Sequence, residues 1–170
     1  MLRSAVEKDL YEILEIYNDA ILNTTAVYTY RVQTIEERKL WFQNKQEDNF
    51  PVLVFEEKDR VTGFATFGPF RAWPAYKYTI EHSVYVHKGN RKRGVGTALV
   101  KQIIKIANER EFATLVAGID AFNENSIKMH EKLGFQYSGT IKRAGFKFGK
   151  WLDLAFYQLE LSGPKNPMDG

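Results

Sequence analysis

Residues 78–119 pass from one hydrophobic pattern to another, and this succession restricts the fold more than any other feature of the chain. Residues 78–86 alternate apolar and polar side chains, as a half-buried strand does. Between Gly94 and Arg110 the apolar residues recur at helical spacing, and 113–119 form a short apolar run. A strand, a helix and a second strand in this order indicate a βαβ unit, whose crossover makes the two strands parallel.

The rest of the chain adds strands and helices around this unit. Hydrophobic spacing predicts strands at residues 2–6, 51–57, 61–67, 135–141 and 151–161. It also predicts three helices: one of about 14 residues that begins at Leu10, one from Thr34 to about Lys45, and one over 123–133. Thr34 and Glu37 have the spacing of a capping box. Because strands precede, separate and follow the helices, we expect an α/β or α+β sheet with helices on both faces. Residues 1–161 are expected to form one domain, and the tail 162–170 to be disordered.

The composition argues against several kinds of site and partner. The chain has no cysteine, which excludes thiol nucleophiles, acyl-cysteine intermediates, Fe–S clusters and cysteine-ligated zinc. Its three histidines, His82, His87 and His130, do not share a metal-ligand spacing, so we expect no metal. A net charge of +3 provides no broad basic face, and we expect no nucleic acid partner. No signal-peptide pattern and no apolar run of ~18 residues are present, which favours a cytoplasmic protein without membrane contact.

The junction between the strand and the helix of the βαβ unit has the most specific chemistry. Residues 91–96 have the spacing Arg-x-x-Gly-x-Gly. Gly94 and Gly96 allow close approach of the backbone to a ligand, and a helix N-terminus offers unpaired amides with a partial positive charge. Arg91 and its two basic neighbours add cations. The pattern fits a pyrophosphate cradle, although short glycine motifs also occur in solvated basic loops.

Two other phosphate-binding motifs fit less well. A P-loop requires Lys and then Ser or Thr after its second glycine, whereas Val95 and Gly96 follow Gly94. A dinucleotide fingerprint requires Gly or Ala where this chain has Leu99. Because Asp120 lies near the expected position of a ribose-binding acid, nicotinamide binding stays open as a minor alternative.

Segments on both sides of the junction resemble a known superfamily. The chain combines a V-x-V strand at 84–86, the Arg-x-x-Gly-x-Gly loop, an N-x-x-S motif at 123–126 and His-Glu-Lys-Leu-Gly-Phe at 130–135. Together these segments resemble the GNAT superfamily of acetyl-CoA-dependent N-acetyltransferases. The resemblance implies a central mixed, mostly antiparallel twisted sheet with helices on both faces and a parallel βαβ acetyl-CoA site.

The resemblance extends to a subfamily over nearly the whole chain. Residues 78–86, 129–135 and 144–153 are similar to the phosphinothricin/methionine sulfoximine acetyltransferases. This similarity implies transfer of acetyl from acetyl-CoA to the α-amine of a small amino acid or analogue, and it implies a homodimer. His130 stands where the wider superfamily commonly has a tyrosine, so the tyrosine-acid mechanism is not carried over.

Candidate site residues follow from this chemistry and from the resemblance. By resemblance, the cofactor-binding residues are Val84, Tyr85, Val86, Arg91, Lys92, Arg93, Gly94, Val95, Gly96, Thr97, Asn123 and Lys132. An α-ammonium group must lose a proton before it attacks a thioester, and Glu81 is the candidate base. His130, with an ordinary pKa near 6.5, is the candidate donor to the departing thiolate, although a histidine on a helix can equally be structural. Arg71, Trp73, Glu81, His82 and Ser83 are the candidate substrate-binding residues.

The absence of a nucleophile favours one order of events. With no cysteine and no Gly-x-Ser-x-Gly elbow, we expect direct attack of the amine on acetyl-CoA in a ternary complex. Two alternatives stay open. One is a GNAT enzyme that acetylates a protein N-terminus, a polyamine or an antibiotic amine. The other is a non-catalytic module that only binds acetyl-CoA.

Overall fold

The computed structural model describes all residues from Met1 to Gly170. It contains strands β1 (Leu2–Ser4), β2 (Val52–Glu57), β3 (Arg60–Pro69), β4 (Thr79–Val86), β5 (Thr114–Asp120), β6 (Gln136–Lys147) and β7 (Lys150–Glu160), and helices α1 (Leu10–Asn23), α2 (Ile35–Glu47), α3 (Val95–Glu109) and α4 (Glu124–Lys132). The strands form one sheet in the order β1-β2-β3-β4-β5-β7-β6. Strands β4 and β5 pair in parallel, whereas β1–β2, β2–β3, β5–β7 and β6–β7 pair antiparallel. The predicted mixed, mostly antiparallel sheet and its parallel βαβ unit are therefore confirmed.

The chain divides into two compact units. The first comprises Met1–Phe67 and Ser83–Val100, and the second comprises Gly68–His82 and Lys101–Gly170. Strand β4 and helix α3 each contribute residues to both units. A single domain over residues 1–161 stays a prediction.

In the first unit, α1 forms where its apolar spacing predicts. Leu10, Ile13 and Ile16 are each at most 3% exposed and join the core cluster that includes residues of β2 and β3. Strand β1 ends at Ser4, two residues before its predicted end. The chain turns there into a short 3-10 helix, Glu7–Asp9. Val6 precedes this helix, and its backbone N–H donates to the Asp9 carboxylate at 2.8 Å.

Helix α2 begins at the predicted capping box. The Glu37 N–H donates to the Thr34 hydroxyl at 3.2 Å, and the Thr34 N–H donates to the Glu37 carboxylate at 2.8 Å. Few of its residues are apolar, and its packing depends on Phe42 and on the buried Arg38. The Arg38 guanidinium carbon lies 4.1 Å from the centroid of the Tyr17 ring of α1, so a cation over an aromatic ring joins the two helices.

In the second unit, β6 is longer than predicted. It continues past Ile141 to Lys147, and its register against β7 shifts between Ile141 and Gly145. The shift absorbs extra residues, as a bulge does, and the strand then pairs again. Phe148 and Gly149 close the hairpin with φ values of 53° and 72°, as both central residues of a type I′ turn require.

The last residues, 162–170, form no helix or strand. The Ser162 N–H donates to the Asn108 side-chain oxygen at 3.2 Å, and the Met168 N–H donates to the Tyr78 hydroxyl at 3.2 Å. Disorder of this tail stays a prediction. None of the helices combines the length and the apolar character needed to cross a bilayer.

Candidate active site

Glu81 is a half-buried carboxylate in the middle of β4. The parallel pairing of β4 with β5 covers Thr79 to Glu81 and ends where Glu81 stands beside Val116. The Glu81 side chain has no hydrogen bond or ion pair within the protein, and burial alone raises its pKa above the ordinary 4.5. An unpaired, half-buried carboxylate with a raised pKa has the properties of a general base.

The Glu81 carboxylate lies against a glycine of the neighbouring strand. A Cβ at Gly118 would be 3.1 Å from Glu81 Oε2, 3.4 Å from Leu154 Cδ1 and 3.8 Å from Phe156 Cε1. Gly118 is exposed, although the residues on either side of it in β5 are buried. The carboxylate therefore lies where a side chain on Gly118 would begin, with Leu154 and Phe156 as an apolar wall beside it.

The loop before β4 is attached to the same wall. Phe70 packs edge-on against Phe156, with 6.2 Å between ring centroids, and against Tyr76, with 6.0 Å. The Arg71 guanidinium carbon lies 6.0 Å from the Tyr76 ring centroid, and Arg71 is exposed without an ion pair. Trp73 is 72% exposed. The two predicted substrate contacts on this loop are thus accessible, and Arg71 is free to bind a carboxylate.

His82 and His130 are buried and contact each other. His82, on β4, is 6% exposed, and His130, on α4, is 2% exposed. Their Nε2 atoms are 3.0 Å apart, and His130 Nδ1 lies 2.7 Å from the Ser126 carbonyl oxygen. Burial first, and then the neighbouring His130, lower the pKa of His82 to about 3, and burial also lowers the pKa of His130. Both rings are therefore neutral at pH 7.

This arrangement bears on two predictions. His82 is enclosed by His130 and Phe135, and alternation along β4 puts its side chain on the opposite face from Glu81. Direct contact of His82 with substrate stays a prediction, and nothing in its surroundings favours it. Both ring nitrogens of His130 are engaged within the protein, so its donation to a thiolate also stays a prediction.

In the first unit, the loop before α3 has the geometry of an anion cradle. Lys92 and Gly94 have φ values of 61° and 84°, and the first helical hydrogen bond runs from the Ala98 N–H to the Gly94 oxygen at 3.0 Å. The amides of Val95 and Gly96 precede that bond and have no partner within the helix. Arg91, Lys92, Arg93 and Gly94 are all exposed, and no atom lies within 4 Å of a Cβ built on Gly94. The predicted residues fit a diphosphate.

Two contacts that the sequence analysis missed position this loop. A Cβ at Gly63 of β3 would lie 2.8 Å from Val95 Cγ1, so the first turn of α3 packs directly on the strand. The Asp19 carboxylate of α1 lies 3.4 Å from Arg91 and 3.9 Å from Lys88. An isolated glycine in a strand indicates close approach, and this rule would have identified Gly63 and also Gly118. No local pattern marks Asp19.

The other predicted cofactor residues differ in which of their atoms are accessible to a cofactor. The Tyr85 ring packs on Phe64 and Tyr17, at centroid distances of 5.1 and 5.5 Å, so its side chain is part of the core packing. Ser83, Val84, Val86 and Thr97 are half-buried. In the second unit, the Asn123 side-chain oxygen accepts the Ser126 N–H at 3.2 Å and caps α4, which leaves its NH₂ group available. Lys132 is exposed in the last turn of α4.

Comparisons with known proteins identify the family of this chain. The model of the GNAT acetyltransferase domain matches residues 2–156. The L-methionine sulfoximine/L-methionine sulfone acetyltransferase of Salmonella typhimurium is 41% identical over 160 residues, which cover 94% of each protein. The L-amino acid N-acyltransferase of Escherichia coli is 39% identical over 166 residues, which cover 98% of this chain and 96% of that protein.

Solved structures give the same result. The phosphinothricin acetyltransferase of Sinorhizobium meliloti, in complex with acetyl-CoA, has a TM-score of 0.95 and 35% identity, and the match covers 100% of this chain and 94% of that one. The ribosomal-protein-alanine N-acetyltransferase of Brucella melitensis has a TM-score of 0.93 and 43% identity, and covers 95% and 99%. No group of three or more His, Asp or Glu side chains is placed to hold a metal ion. The chain therefore belongs to the GNAT acetyltransferase family and is an acetyl-CoA-dependent N-acetyltransferase.

Proposed function

We propose that this enzyme acetylates the α-amine of a small amino acid or amino acid analogue, with methionine sulfoximine, methionine sulfone and phosphinothricin as the first candidates. The observation that carries the proposal is Glu81, an unpaired and half-buried carboxylate that lies against the exposed Gly118. The named activities of the relatives from Salmonella typhimurium and Sinorhizobium meliloti support the same substrate class.

The reaction proceeds by direct attack. Glu81 takes a proton from the α-ammonium group, and the amine nitrogen forms a bond to the thioester carbonyl carbon. As the carbon–sulfur bond breaks, the nitrogen loses its second proton to solvent and the amide forms. Coenzyme A leaves as the thiolate and takes a proton from solvent. A backbone amide near Val84 polarises the carbonyl oxygen as negative charge develops on it.

Positioning contributes more than proton transfer. Holding the amine and the thioester together lowers the barrier by about 7–11 kcal/mol, whereas a general base is typically worth about 10²–10⁴-fold, or roughly 3–5 kcal/mol. The amides at Val95 and Gly96, with the cations of residues 91–93, hold the diphosphate of acetyl-CoA. Asn123 and Lys132 contact the same cofactor.

The surroundings of Glu81 determine which amine fits. Arg71 is an exposed cation on the loop attached to the wall, and it binds the substrate carboxylate. Trp73 covers the substrate from the same loop. The apolar side chains of Leu154 and Phe156 contact the substrate side chain, which favours a compact side chain with an apolar methylene stem.

A thiol-release assay tests the proposal. The enzyme is mixed with acetyl-CoA and, separately, with methionine sulfoximine, methionine sulfone, phosphinothricin, ordinary amino acids and spermidine. We expect thiol release with the first three compounds and little with spermidine, which has no carboxylate for Arg71. Thiol release with spermidine and none with any α-amino acid would refute the proposal.

A second candidate substrate is a protein N-terminus that begins with alanine. The similarity to the ribosomal-protein-alanine N-acetyltransferase of Brucella melitensis favours it, at 43% identity. A peptide has no carboxylate next to its amine, so its acetylation would not depend on Arg71. An alanine-initiated peptide in the same assay separates the two, because only this candidate predicts faster turnover of the peptide than of methionine sulfone.

A further inference from the structure

His82 and His130 form a buried polar pair that the proposed reaction leaves without a role. The rings are tilted by 30°, with centroids 5.2 Å apart, and Phe135 covers both at centroid distances of 5.5 and 5.0 Å. One ring is on β4 and the other on α4, and 48 residues separate them in the chain. When two neutral histidines form a hydrogen bond, one ring must donate its N–H and the other must accept it.

The Ser126 carbonyl fixes this arrangement. Its oxygen lies 2.7 Å from His130 Nδ1 and can only accept, so His130 Nδ1 carries the hydrogen. Because the ring is neutral, His130 Nε2 carries no hydrogen and its lone pair can only accept. The His82 Nε2 atom, 3.0 Å away, must donate to it. His82 Nδ1 then carries a lone pair. No well-formed hydrogen bond reaches this buried atom, although an interaction of His82 with the Val116 backbone raises the pKa of the ring.

Stability does not explain the pair. A buried acceptor that no well-formed hydrogen bond reaches is costly, and this cost offsets much of what one neutral hydrogen bond contributes. Two apolar rings of the same shape would fill this space with no unsatisfied atom. The hydrogen bond between the two rings does fix the distance and the orientation of β4 relative to α4. His82 directly follows Glu81 in the strand.

We propose that His82 is a positioning residue, whose Nε2–H donates to His130 Nε2 and thereby holds the backbone of β4 in the place that Glu81 needs. The hydrogen-bond direction is independent of the substrate, whereas the effect on catalysis rests on the proposed function. His82 itself does not touch the reacting atoms.

Three variants test the effect on catalysis. His82→Phe keeps a ring and removes the donor, and we expect kcat to fall about 10–100-fold, as displacement of a reacting group by about 1 Å does. His82→Gln keeps an N–H at the position of Nε2 and should restore most of kcat. Ile80→Val, on the same buried face and next to Glu81 on its other side, is the packing control and should keep kcat. The KM for acetyl-CoA should stay near that of the wild type in all three.

Kinetics and a spectroscopic measurement separate this proposal from the one on which it rests. Wild-type kcat in a folded His82→Phe protein would overturn the positioning role, as would an equal loss of kcat in Ile80→Val. Nitrogen NMR of the full chain should show hydrogen on His82 Nε2 and on His130 Nδ1, and any other pattern overturns the proposed direction. This spectrum is unaffected if the wild type acetylates no amino acid, a result that would refute the proposed function and the catalytic role together.

Discussion

Glu81 Oε2 occupies the position beside Gly118 where a side chain on β5 would begin, because a Cβ there would lie only 3.1 Å from the oxygen. This distance is too short for an unstrained contact, so an alanine must push the carboxylate aside. We predict that Gly118→Ala lowers kcat about 10-fold, since small displacements of a reacting group are costly. Steady-state kinetics with methionine sulfone measure the change.

A second glycine provides the control for this substitution. A Cβ at Gly89 would meet only the His87 ring, with Nδ1 at 3.4 Å and Cε1 at 3.5 Å, which are ordinary contacts. Gly89 also has no left-handed φ that a side chain would strain. Gly89→Ala should therefore leave kcat for methionine sulfone near the wild-type value. An unchanged kcat in Gly118→Ala would show that the carboxylate does not need its observed position.

Removal of the charge at Glu81 tests its role as the base. Glu81→Gln keeps the shape of the side chain, and it should lower kcat by about 10²–10⁴-fold at neutral pH. The KM for acetyl-CoA should change little, because Glu81 is proposed to act on the amine. An unaltered kcat would exclude Glu81 as the base.

The raised pKa of Glu81 predicts two opposite pH effects. Activity requires the carboxylate, so kcat/KM should fall with decreasing pH at values above the ordinary 4.5 of an exposed glutamate. Stability changes in the opposite direction, because the folded state disfavours the ionised form of Glu81. The free energy of unfolding therefore decreases as pH rises above the pKa that Glu81 has in the unfolded chain. Glu81→Gln should be more stable than the wild type at about pH 7, with the difference lost below about pH 4. Thermal unfolding of both proteins at the two pH values measures it.

Arg71 is predicted to bind the substrate carboxylate rather than the cofactor. Arg71→Ala should raise the KM for methionine sulfone by about 10-fold or more, as loss of a charge-assisted hydrogen bond does, and should leave the KM for acetyl-CoA almost unchanged. Arg60→Ala, at a 67% exposed arginine of the first unit that pairs with Glu12, is the matched control. Equal increases in both KM values would mean that Arg71 is misassigned.

Local patterns predicted the elements of this fold well. The capping box at Thr34 and Glu37 forms as expected, and α1 covers Leu10–Asn23 because its apolar residues recur every three or four positions. The end of β6 was wrong, because the chain resumes pairing after a register shift that no periodicity reveals. Such shifts depend on the partner strand.

Parts of the site were predictable because their residues lie close together in the sequence. The Arg-x-x-Gly-x-Gly loop and Glu81 are visible in one short stretch, and the family resemblance gave them roles. The contact of His82 with His130 and that of Glu81 with Gly118 join different elements, so they depend on tertiary packing. Sequence patterns therefore identify both histidines but not the contact between them.

A crystal structure of the enzyme with coenzyme A and methionine sulfone would test the central claim most directly. The account predicts the diphosphate on the amides at Val95 and Gly96, and the amine nitrogen within about 3.2 Å of a Glu81 oxygen, or one water away. If the amine bound elsewhere, with Glu81 separated from it by more than one water, Glu81 could not be its base and the proposed mechanism would be wrong.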